Sequence, residues 1–301
     1  MINTDKVTEI FVSIDDFCKE FEPSLNKKLI GKAKIRNKPC RLSMSEIMTI
    51  QVLFHHSGFR TFKDFYLGYV CVHMRDLFPN TVSYNRMTEL CSDSMLHLFA
   101  YLKSFGLGNC TGISFVDSTP LRVCHNKRIH QHKTFKGIAE RGQCSIGWFF
   151  GFKLHIICND IGQLVDVHIT PGNIDDRKPL QNKSFIKKLW GKLFGDKGYI
   201  SKALFTELFG QGIHLVTKLK RNMKSTILTP IMDAIMLRKR AIAETIIDQL
   251  KNICQVEHSR HRSPKNFFNN LFAALIAYNF NDKKPSLKVN FVDTKQLYLP
   301  L

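Results

Sequence analysis

The sequence of 301 residues contains no apolar run of about 18 residues and no internal repeat or low-complexity stretch. Without such a run, a signal peptide or a basic amphipathic end, we expect no attachment to a membrane. No Cys-x₂-Cys pair occurs among the nine cysteines, and the spacing of Cys124, His125, His130 and His132 fits none of the common zinc frameworks. We therefore expect free thiols in a reducing cytoplasm.

Acidic side chains are scarce as well. The chain has 25 Asp and Glu against 44 Lys and Arg, which gives a formal net charge of +19. Residues 1–110 carry 14 basic and 11 acidic side chains, so most of the excess lies in the rest of the chain. A strongly basic domain attracts polyanions through long-range electrostatics and counterion release. The composition therefore predicts a nucleic-acid partner for residues 111–301.

Two of the few aspartates follow short apolar runs. Residues 112–116 are mostly β-branched, aromatic or small, and Ser118-Thr119-Pro120 then stops the pattern, which predicts a strand with Asp117 at its end. Residues 193–195 repeat this arrangement before Asp196. Carboxylates at neighbouring strand ends can share divalent cations, and Mg²⁺ or Mn²⁺ prefers such oxygen ligands. Taken singly, each aspartate is better explained as a helix cap or a turn former.

A third acid lies in a predicted helix. Arg240, Glu244 and Lys251 are spaced so that they share one helical face. The opposite, apolar face consists of Ile242, Ile246, Leu250 and Ile253. Arg240 and Glu244 also have the spacing of an ordinary surface ion pair, and Asp248 lies on the same face and competes with Glu244 for the acidic role.

The order of predicted elements indicates an α/β fold. Strands are predicted at 112–117, 144–159, 164–170, 190–195 and 213–217, with helices at 175–189, 201–209 and around Glu244. This order, βββαβαβα, resembles a ribonuclease-H-like fold, which has a mixed five-stranded sheet flanked by helices. In that fold the first acid lies on the first strand, the second just after the fourth strand and the third on a later helix.

Several motifs carry a family resemblance. They are Phe115–Leu121, Lys133–Lys136, Gly147–His155, Thr170–Arg177, Gly195–Tyr199, and Arg240 with Glu244 and Lys251. Together they resemble the DDE transposases of bacterial insertion sequences, most closely the insertion sequence nine-eighty-two family. The wider signature has a tyrosine three positions before the arginine, where this chain has Leu237. That departure removes one expected contact to DNA and leaves the acids unchanged.

The resemblance implies a function. Asp117, Asp196 and Glu244 would be the catalytic, metal-binding triad for two Mg²⁺ or Mn²⁺ ions, and Arg240 and Lys251 would contact phosphates. The enzyme would cleave insertion-sequence ends and transfer the freed strand into target DNA in the bacterial cytoplasm. Alternatives are a ribonuclease-H-like nuclease without strand transfer and a non-catalytic basic DNA-binding protein. We interpret Asp175 and Asp176 mainly as caps of the following helix, with metal binding by Asp176 as the alternative.

Two basic stretches are expected to border the active site and hold DNA. Their candidate contacts are Arg122, Lys127, Arg128 and Lys133 after the first strand, and Arg260 and Arg262 after the Glu244 helix. The alternative for any such basic run is a solvated loop that contacts no DNA. The expected partner is double-stranded DNA, namely the terminal inverted repeats and the target, bound by a homodimer or larger assembly.

The expected organisation has a helical domain at 1–110, the catalytic domain at 111–285 and a tail at 286–301. Helices are predicted at 43–56, 61–78 and 81–104, with breaks at Gly58 and at Pro79-Asn80. Two of them could form a helix-turn-helix that reads the element's ends. A helical module for packing or dimerisation is the alternative, because the region is nearly neutral.

Overall fold

The computed structural model describes residues 2–29, 40–145, 147–218, 230–257 and 261–287. Contacts within the chain define two compact units. Met1–Gly106 and Leu250–Asn281 form the helical unit, and Leu107–Gln249 and Asp282–Leu301 form the sheet unit.

The first 106 residues are helical over most of the described part. Their elements are α1 (Thr4–Leu29), α2 (Met44–His56), α3 (Phe62–Asp64), a π-helix (Phe65–Val70), α4 (Cys71–His73), α5 (Tyr84–Asp93) and α6 (Met95–Ser104). The helix predicted at 61–78 ends at His73 and contains the π-helical turn, and the helix predicted at 81–104 is divided at Ser94. Ser94 is the residue after α5, and its N–H donates to the carbonyls of Leu90 and Cys91 in the last turn of that helix.

Helix α2 begins where the sequence predicts a start. The Ser43 hydroxyl accepts a hydrogen bond from the Glu46 N–H at 3.1 Å, and the Glu46 carboxylate accepts one from the Ser43 N–H at 2.6 Å. This capping box satisfies two backbone donors that the first helical turn leaves free. Most side chains of α2 are buried, so the helix lies at the centre of its unit.

The rest of the chain contains the strands. They are β1 (Ile113–Cys124), β2 (Glu140–Cys144), β3 (Gly147–Asn159), β4 (Leu164–Pro171), β5 (Gly191–Gly195) and β6 (Ile213–Thr217). The helices are α7 (Lys183–Ile186), α8 (Lys202–Phe209), α9 (Ile231–Lys239), α10 (Ala241–Asn252) and α11 (Pro264–Asn279). Short 3₁₀ turns lie at Asn126–Gln131, Lys178–Gln181 and Lys197–Tyr199.

Helix α11 explains why the chain divides differently from the expected domains, which placed residues 111–285 together. Asn269 of α11 is buried and donates to the side chains of Gln51 at 2.9 Å and Ser94 at 3.3 Å. Gln51 donates in turn to Ser94 at 2.8 Å. Buried polar groups need such partners, and here those partners lie in the first 106 residues. The helix therefore packs into the helical unit.

The six strands form one mixed sheet. Its order is β2-β3-β1-β5-β6, and β4 pairs with the carboxyl-terminal part of β3. The first four strands of the chain pair antiparallel, whereas β5 pairs parallel with both β1 and β6. The sequence predicts five strands and misses β2. That strand has the polar sequence ERGQC at the edge of the sheet, so no alternation of apolar residues reveals it.

Strand β1 is longer than predicted. It continues through Ser118-Thr119-Pro120 to Cys124, so the expectation that it ends at Asp117 is wrong. Strand β5 pairs only with residues 113–115 of β1, which leaves the remainder of β1 as an edge on that side. An edge strand accommodates a proline, because no ladder hydrogen bond is required from it there.

The prediction of one continuous helix at 175–189 is also wrong. That segment forms a 3₁₀ turn at Lys178–Gln181 and the four-residue helix α7. The Asn182 side chain accepts a hydrogen bond from the Ser184 N–H at 3.0 Å and starts a new helix there. A capping residue in the middle of an apolar pattern divides it.

Helices α7 and α8 and the turn Lys178–Gln181 pack on one face of the sheet. Val116 and Ile157 on that face pack in one buried cluster with Leu180, Phe185 and Leu208. Tyr199, which follows β5, belongs to the same cluster. Among the described residues, no helix is both long enough and apolar enough to cross a membrane.

Candidate active site

Asp117 and Asp196 occupy equivalent positions on neighbouring parallel strands. Phe115 of β1 is paired with Phe194 of β5, and each aspartate follows that pair by two residues. The Asp117 carboxylate accepts a hydrogen bond from the Ser118 N–H at 2.8 Å, and the Asp196 carboxylate accepts one from the Lys197 N–H at 2.5 Å. The register of the sheet therefore places the two acids side by side, although Asp117 lies within its strand.

Glu244 joins them through Arg240. One guanidinium nitrogen of Arg240 lies 2.8 Å from a Glu244 carboxylate oxygen, and the other lies 3.6 Å from an Asp117 carboxylate oxygen. The surface ion pair weighed from the sequence is thus present, but Arg240 also reaches an acid on the sheet. Its side chain is largely buried, whereas that of Glu244 is exposed.

Asp117 is affected by the charges of both other acids. The pKa of Asp117 is raised to about 6, mainly by burial and also by the negative charges of Glu244 and Asp196. The Ser118 N–H and the Arg240 guanidinium oppose these effects. Glu244, an acid of helix α10, therefore acts on Asp117 as Asp196 does.

Helix α10 presents Glu244 because its other face is in the core. Ile242, Ile246 and Leu250 are buried, as the pattern predicts. The pattern also places Ile253 on the apolar face, but this residue follows the last residue of α10 and is 53% exposed, so that part of the prediction is wrong.

A cleft of about 390 Å³ lies beside these acids. It is lined by Gly195, Asp196, Lys197, Lys218, Leu237, Arg238, Arg240, Ala241 and Glu244. Two acids and four cations thus share one concave surface, which suits a ligand that carries negative charge and brings its own counterions. Leu237, at the position where the family signature has a tyrosine, contributes an apolar wall.

Three of the cleft cations, Lys197, Lys218 and Arg238, are not among the candidates predicted from the sequence. Each of them lies next to an already predicted site residue, either in the chain or on the neighbouring strand. Gly195 of β5 pairs with Thr217 of β6, so Asp196 and Lys218 leave adjacent parallel strands at the same level. Lys197 follows Asp196 directly, and Arg238 precedes Arg240 by two residues.

The carboxylates are suitable donors for a hard divalent cation, but they are not gathered around a common point. Within the described ranges, no three His, Cys, Asp or Glu side chains form a group that could hold a metal. Arg240 lies between Asp117 and Glu244 instead. The donor chemistry fits Mg²⁺ or Mn²⁺, and Arg240 supplies positive charge at the same acids.

Asp176 does not act as the expected helix cap. Its carboxylate accepts a hydrogen bond from Lys153 Nζ at 3.0 Å, and Lys153 also donates to the Ile174 carbonyl at 2.9 Å. The buried ring of His155 has one nitrogen 4.0 Å from Asp176, and burial lowers the pKa of His155 to about 4. Asp175 does form a local turn, since it accepts from the Arg177 backbone N–H at 2.9 Å.

The Tyr199 hydroxyl is affected by the charge of Asp176 as well as by those of Asp117 and Asp196. This hydroxyl is buried, and burial together with the charges of Asp117, Asp176 and Asp196 raises the pKa of Tyr199 well above its usual value. Asp176 is therefore near the other two aspartates, but it is held by Lys153 and does not line the cleft.

The remaining DNA-contact candidates lie away from the cleft. Arg122, Lys127, Arg128 and Lys133 are exposed. Arg122 is five residues along β1 from Asp117, or about 16 Å at about 3.3 Å per residue, so this stretch does not border the acids directly. Lys251 pairs with Glu257 at 3.1 Å. Arg262 is exposed in the helical unit, and Arg260 lies outside the described residues.

A family model described as the transposase DDE domain matches residues 107–264, which is more than half of the chain. The matched range contains β1, β5 and α10, which carry the three acids. No curated protein matches the chain, and no solved structure matches it.

Proposed function

Because this chain belongs to the transposases with a DDE domain, we propose that it cleaves the ends of an insertion sequence and joins the freed 3′ strand to target DNA. The observation that carries the proposal is that Arg240 links acids from distant parts of the sequence: it pairs with Glu244, lies 3.6 Å from Asp117 and lines the same cleft as Asp196. Asp196 and Glu244 line one cleft, and both charges act on Asp117.

The sheet supports a ribonuclease-H-like assignment for the sheet unit. Its antiparallel strands β1, β3 and β4 are followed by the parallel strands β5 and β6, with β1 at the centre. The first acid lies on the first strand, the second follows β5 and the third lies on α10. This placement of acids is the one that the resemblance implies.

In the proposed reaction, Asp117, Asp196 and Glu244 would hold two Mg²⁺ or Mn²⁺ ions. Bound there, such ions supply Lewis-acid activation of the attacking hydroxyl and stabilisation of the departing 3′ oxygen. The chain's own cations would position the DNA. Lys197, Lys218 and Arg238 line the cleft with the acids and would neutralise phosphates beside the scissile bond.

The helical unit would recognise the terminal inverted repeats as double-stranded DNA, and a homodimer would hold two ends together. Membership of the nine-eighty-two family is part of the same proposal, since it rests on the sequence motifs. Packing or dimerisation of the helical unit is the competing role, and end binding by the full chain carrying substitutions confined to exposed residues of this unit tests it.

The test uses Glu244→Gln with Asp248→Asn as a matched control on the same helix. The substrate is a duplex that carries the inverted repeats flanking the coding region. Glu244→Gln is expected to bind this duplex with unchanged affinity, measured by fluorescence anisotropy, and to lose Mg²⁺-dependent cleavage. Asp248→Asn is expected to cleave normally. Retained cleavage by Glu244→Gln would refute the assignment of the third acid.

Strand transfer needs its own assay. Pre-cut ends are incubated with a supercoiled plasmid and Mg²⁺, and covalent insertion is detected by amplification across the junction. Insertion is the expected result. Cleavage without any insertion would make the protein a nuclease of the same fold, and binding without nicking at any Mg²⁺ or Mn²⁺ concentration would make it a non-catalytic DNA-binding protein.

A further inference from the structure

At its amino-terminal end, strand β3 is paired with β2 alone among the described strands. Strand β3 pairs with β2 from Gly147 to Gly151, whereas its pairing with β1 begins only at Phe150. The first residues of β3 therefore form a two-stranded ribbon with β2. A ribbon of this kind is narrow enough to enter a DNA groove.

Trp148 lies on this ribbon and is 63% exposed, while the adjacent Phe149 is buried. Trp148 is paired with Gln143 of β2. Side chains alternate along a strand, so Arg141 lies on the same face as Gln143, and Glu140 lies on the opposite face. The face therefore combines an indole, an amide and a cation.

A basic turn lies next to the ribbon. The Asn126 side-chain amide donates a hydrogen bond to the Trp148 carbonyl at 2.8 Å, which ties the turn Asn126–Gln131 to the ribbon. Lys127 and Arg128 in this turn are exposed. The sequence from Arg122 to Lys136 contains no acidic residue.

We propose that Trp148 is a stacking platform for an unpaired DNA base, with Lys127, Arg128 and Arg141 neutralising the phosphates on either side. A single exposed aromatic residue on a protein surface needs no explanation. Here its neighbours are cations and an amide, which complement a nucleic acid in charge and hydrogen bonding. Aromatic side chains among cations are the usual way in which proteins bind single-stranded nucleic acid without reading its sequence.

The ligand is an unpaired base because a paired base presents only its edges in the grooves of a duplex. Trp148 precedes Ile156, the partner of Asp117, by eight residues of β3, or about 26 Å along the strand. That distance corresponds to about seven or eight base pairs of duplex. The stacked base would thus lie in DNA flanking the scissile phosphate. This inference rests on the proposed action on DNA.

The chain contains two tryptophans, which makes the test direct. Trp190→Phe leaves Trp148 as the sole tryptophan, and Trp148→Phe leaves Trp190, which is 58% exposed elsewhere in the sheet unit. Each variant is titrated with a duplex and with the same duplex containing a central bubble of unpaired thymines. The bubble is expected to quench the fluorescence of Trp190→Phe more than the duplex does. Trp148→Phe is expected to show no difference between the two DNAs.

Affinity gives an independent measurement. By fluorescence anisotropy, Trp148→Ala is expected to bind the bubble DNA about tenfold more weakly than the wild type, because stacking on one base is lost. Its affinity for the paired duplex is expected to change less than twofold. Trp148→Phe should recover much of the loss, which separates stacking from a folding defect.

Equal quenching of Trp148 by both DNAs, or an equal loss of affinity for both in Trp148→Ala, would overturn the stacking site while leaving the proposed function intact. If the wild type binds neither DNA, the proposed function fails and the stacking site fails with it.

Discussion

The Arg240 guanidinium lies 3.6 Å from the Asp117 carboxylate and 2.8 Å from that of Glu244, so one cation joins an acid of the sheet to an acid of a helix. Asp117 is largely buried and its pKa is raised, which means that its negative charge is poorly compensated without Arg240. The residue stabilises two acids that would otherwise repel each other.

Arg240→Gln is therefore expected to lower the free energy of unfolding of the metal-free protein by about 1 kcal/mol. The value is modest because Glu244 is exposed and solvent screens its charge. Urea unfolding in EDTA measures it. The matched control is Arg177→Gln, which removes an exposed ion pair with Asp175 and should change little. An equal effect of the two substitutions would contradict this role of Arg240.

The acids should differ in their effect on catalysis. Asp117→Asn and Asp196→Asn are expected to reduce cleavage at least a thousandfold, since each removes a proposed metal ligand and a charge. Asp176→Asn is expected to reduce cleavage less than tenfold, because Asp176 pairs with Lys153 and does not line the cleft.

Single-turnover cleavage of a labelled end duplex at saturating Mg²⁺ measures all three variants. A loss in Asp176→Asn as large as that in Asp117→Asn would show that Asp176 belongs to the catalytic set.

Acid should destabilise the protein partly through His55. This ring is fully buried, its Nδ1 donates to the Cys254 carbonyl at 2.7 Å, and burial lowers its pKa from 6.5 to about 3. The unfolded chain therefore binds a proton that the folded protein excludes. The stabilising contribution is complete above pH 6.5 and is lost as the pH falls from 6.5 toward 3, by up to about 1.4 kcal/mol per pH unit.

Urea unfolding of the wild type and His55→Gln between pH 7.5 and 4.5 checks this prediction. The variant should have a shallower dependence of stability on pH, by about one proton. His214→Gln, which changes an exposed histidine, should leave the slope as it is. An unchanged slope in His55→Gln would contradict the prediction.

Gly151 is needed for the close approach of β1 and β3. A Cβ atom at this position would lie 2.0 Å from the Leu121 carbonyl oxygen, which is backbone and cannot rotate away. Gly151→Ala is expected to lower the free energy of unfolding by about 1 to 3 kcal/mol. At Gly198 a Cβ would meet open space, so Gly198→Ala serves as the control in the same thermal-unfolding measurement. Equal melting temperatures for the two variants would refute the crowding argument.

Local patterns allowed much of the fold to be predicted. The periodic pattern at residues 43–56 locates α2, and the apolar runs locate β1, β3, β4, β5 and β6. Strand β2 could not be predicted, since an exposed edge strand needs no apolar alternation. The predicted end of β1 at Asp117 was wrong because a proline such as Pro120 interrupts a central strand but not an edge strand. Whether a strand lies at an edge depends on its pairing with distant segments of the chain.

The sequence by itself determined which acids are candidates and which elements carry them, because strand ends, helical faces and charge are local properties of the chain. Only the tertiary structure decided that the parallel register of β1 and β5 places Asp117 beside Asp196, that Arg240 joins Asp117 to Glu244, and that α11 packs with the first helices. Those relationships depend on contacts between residues far apart in the chain, which no local pattern encodes.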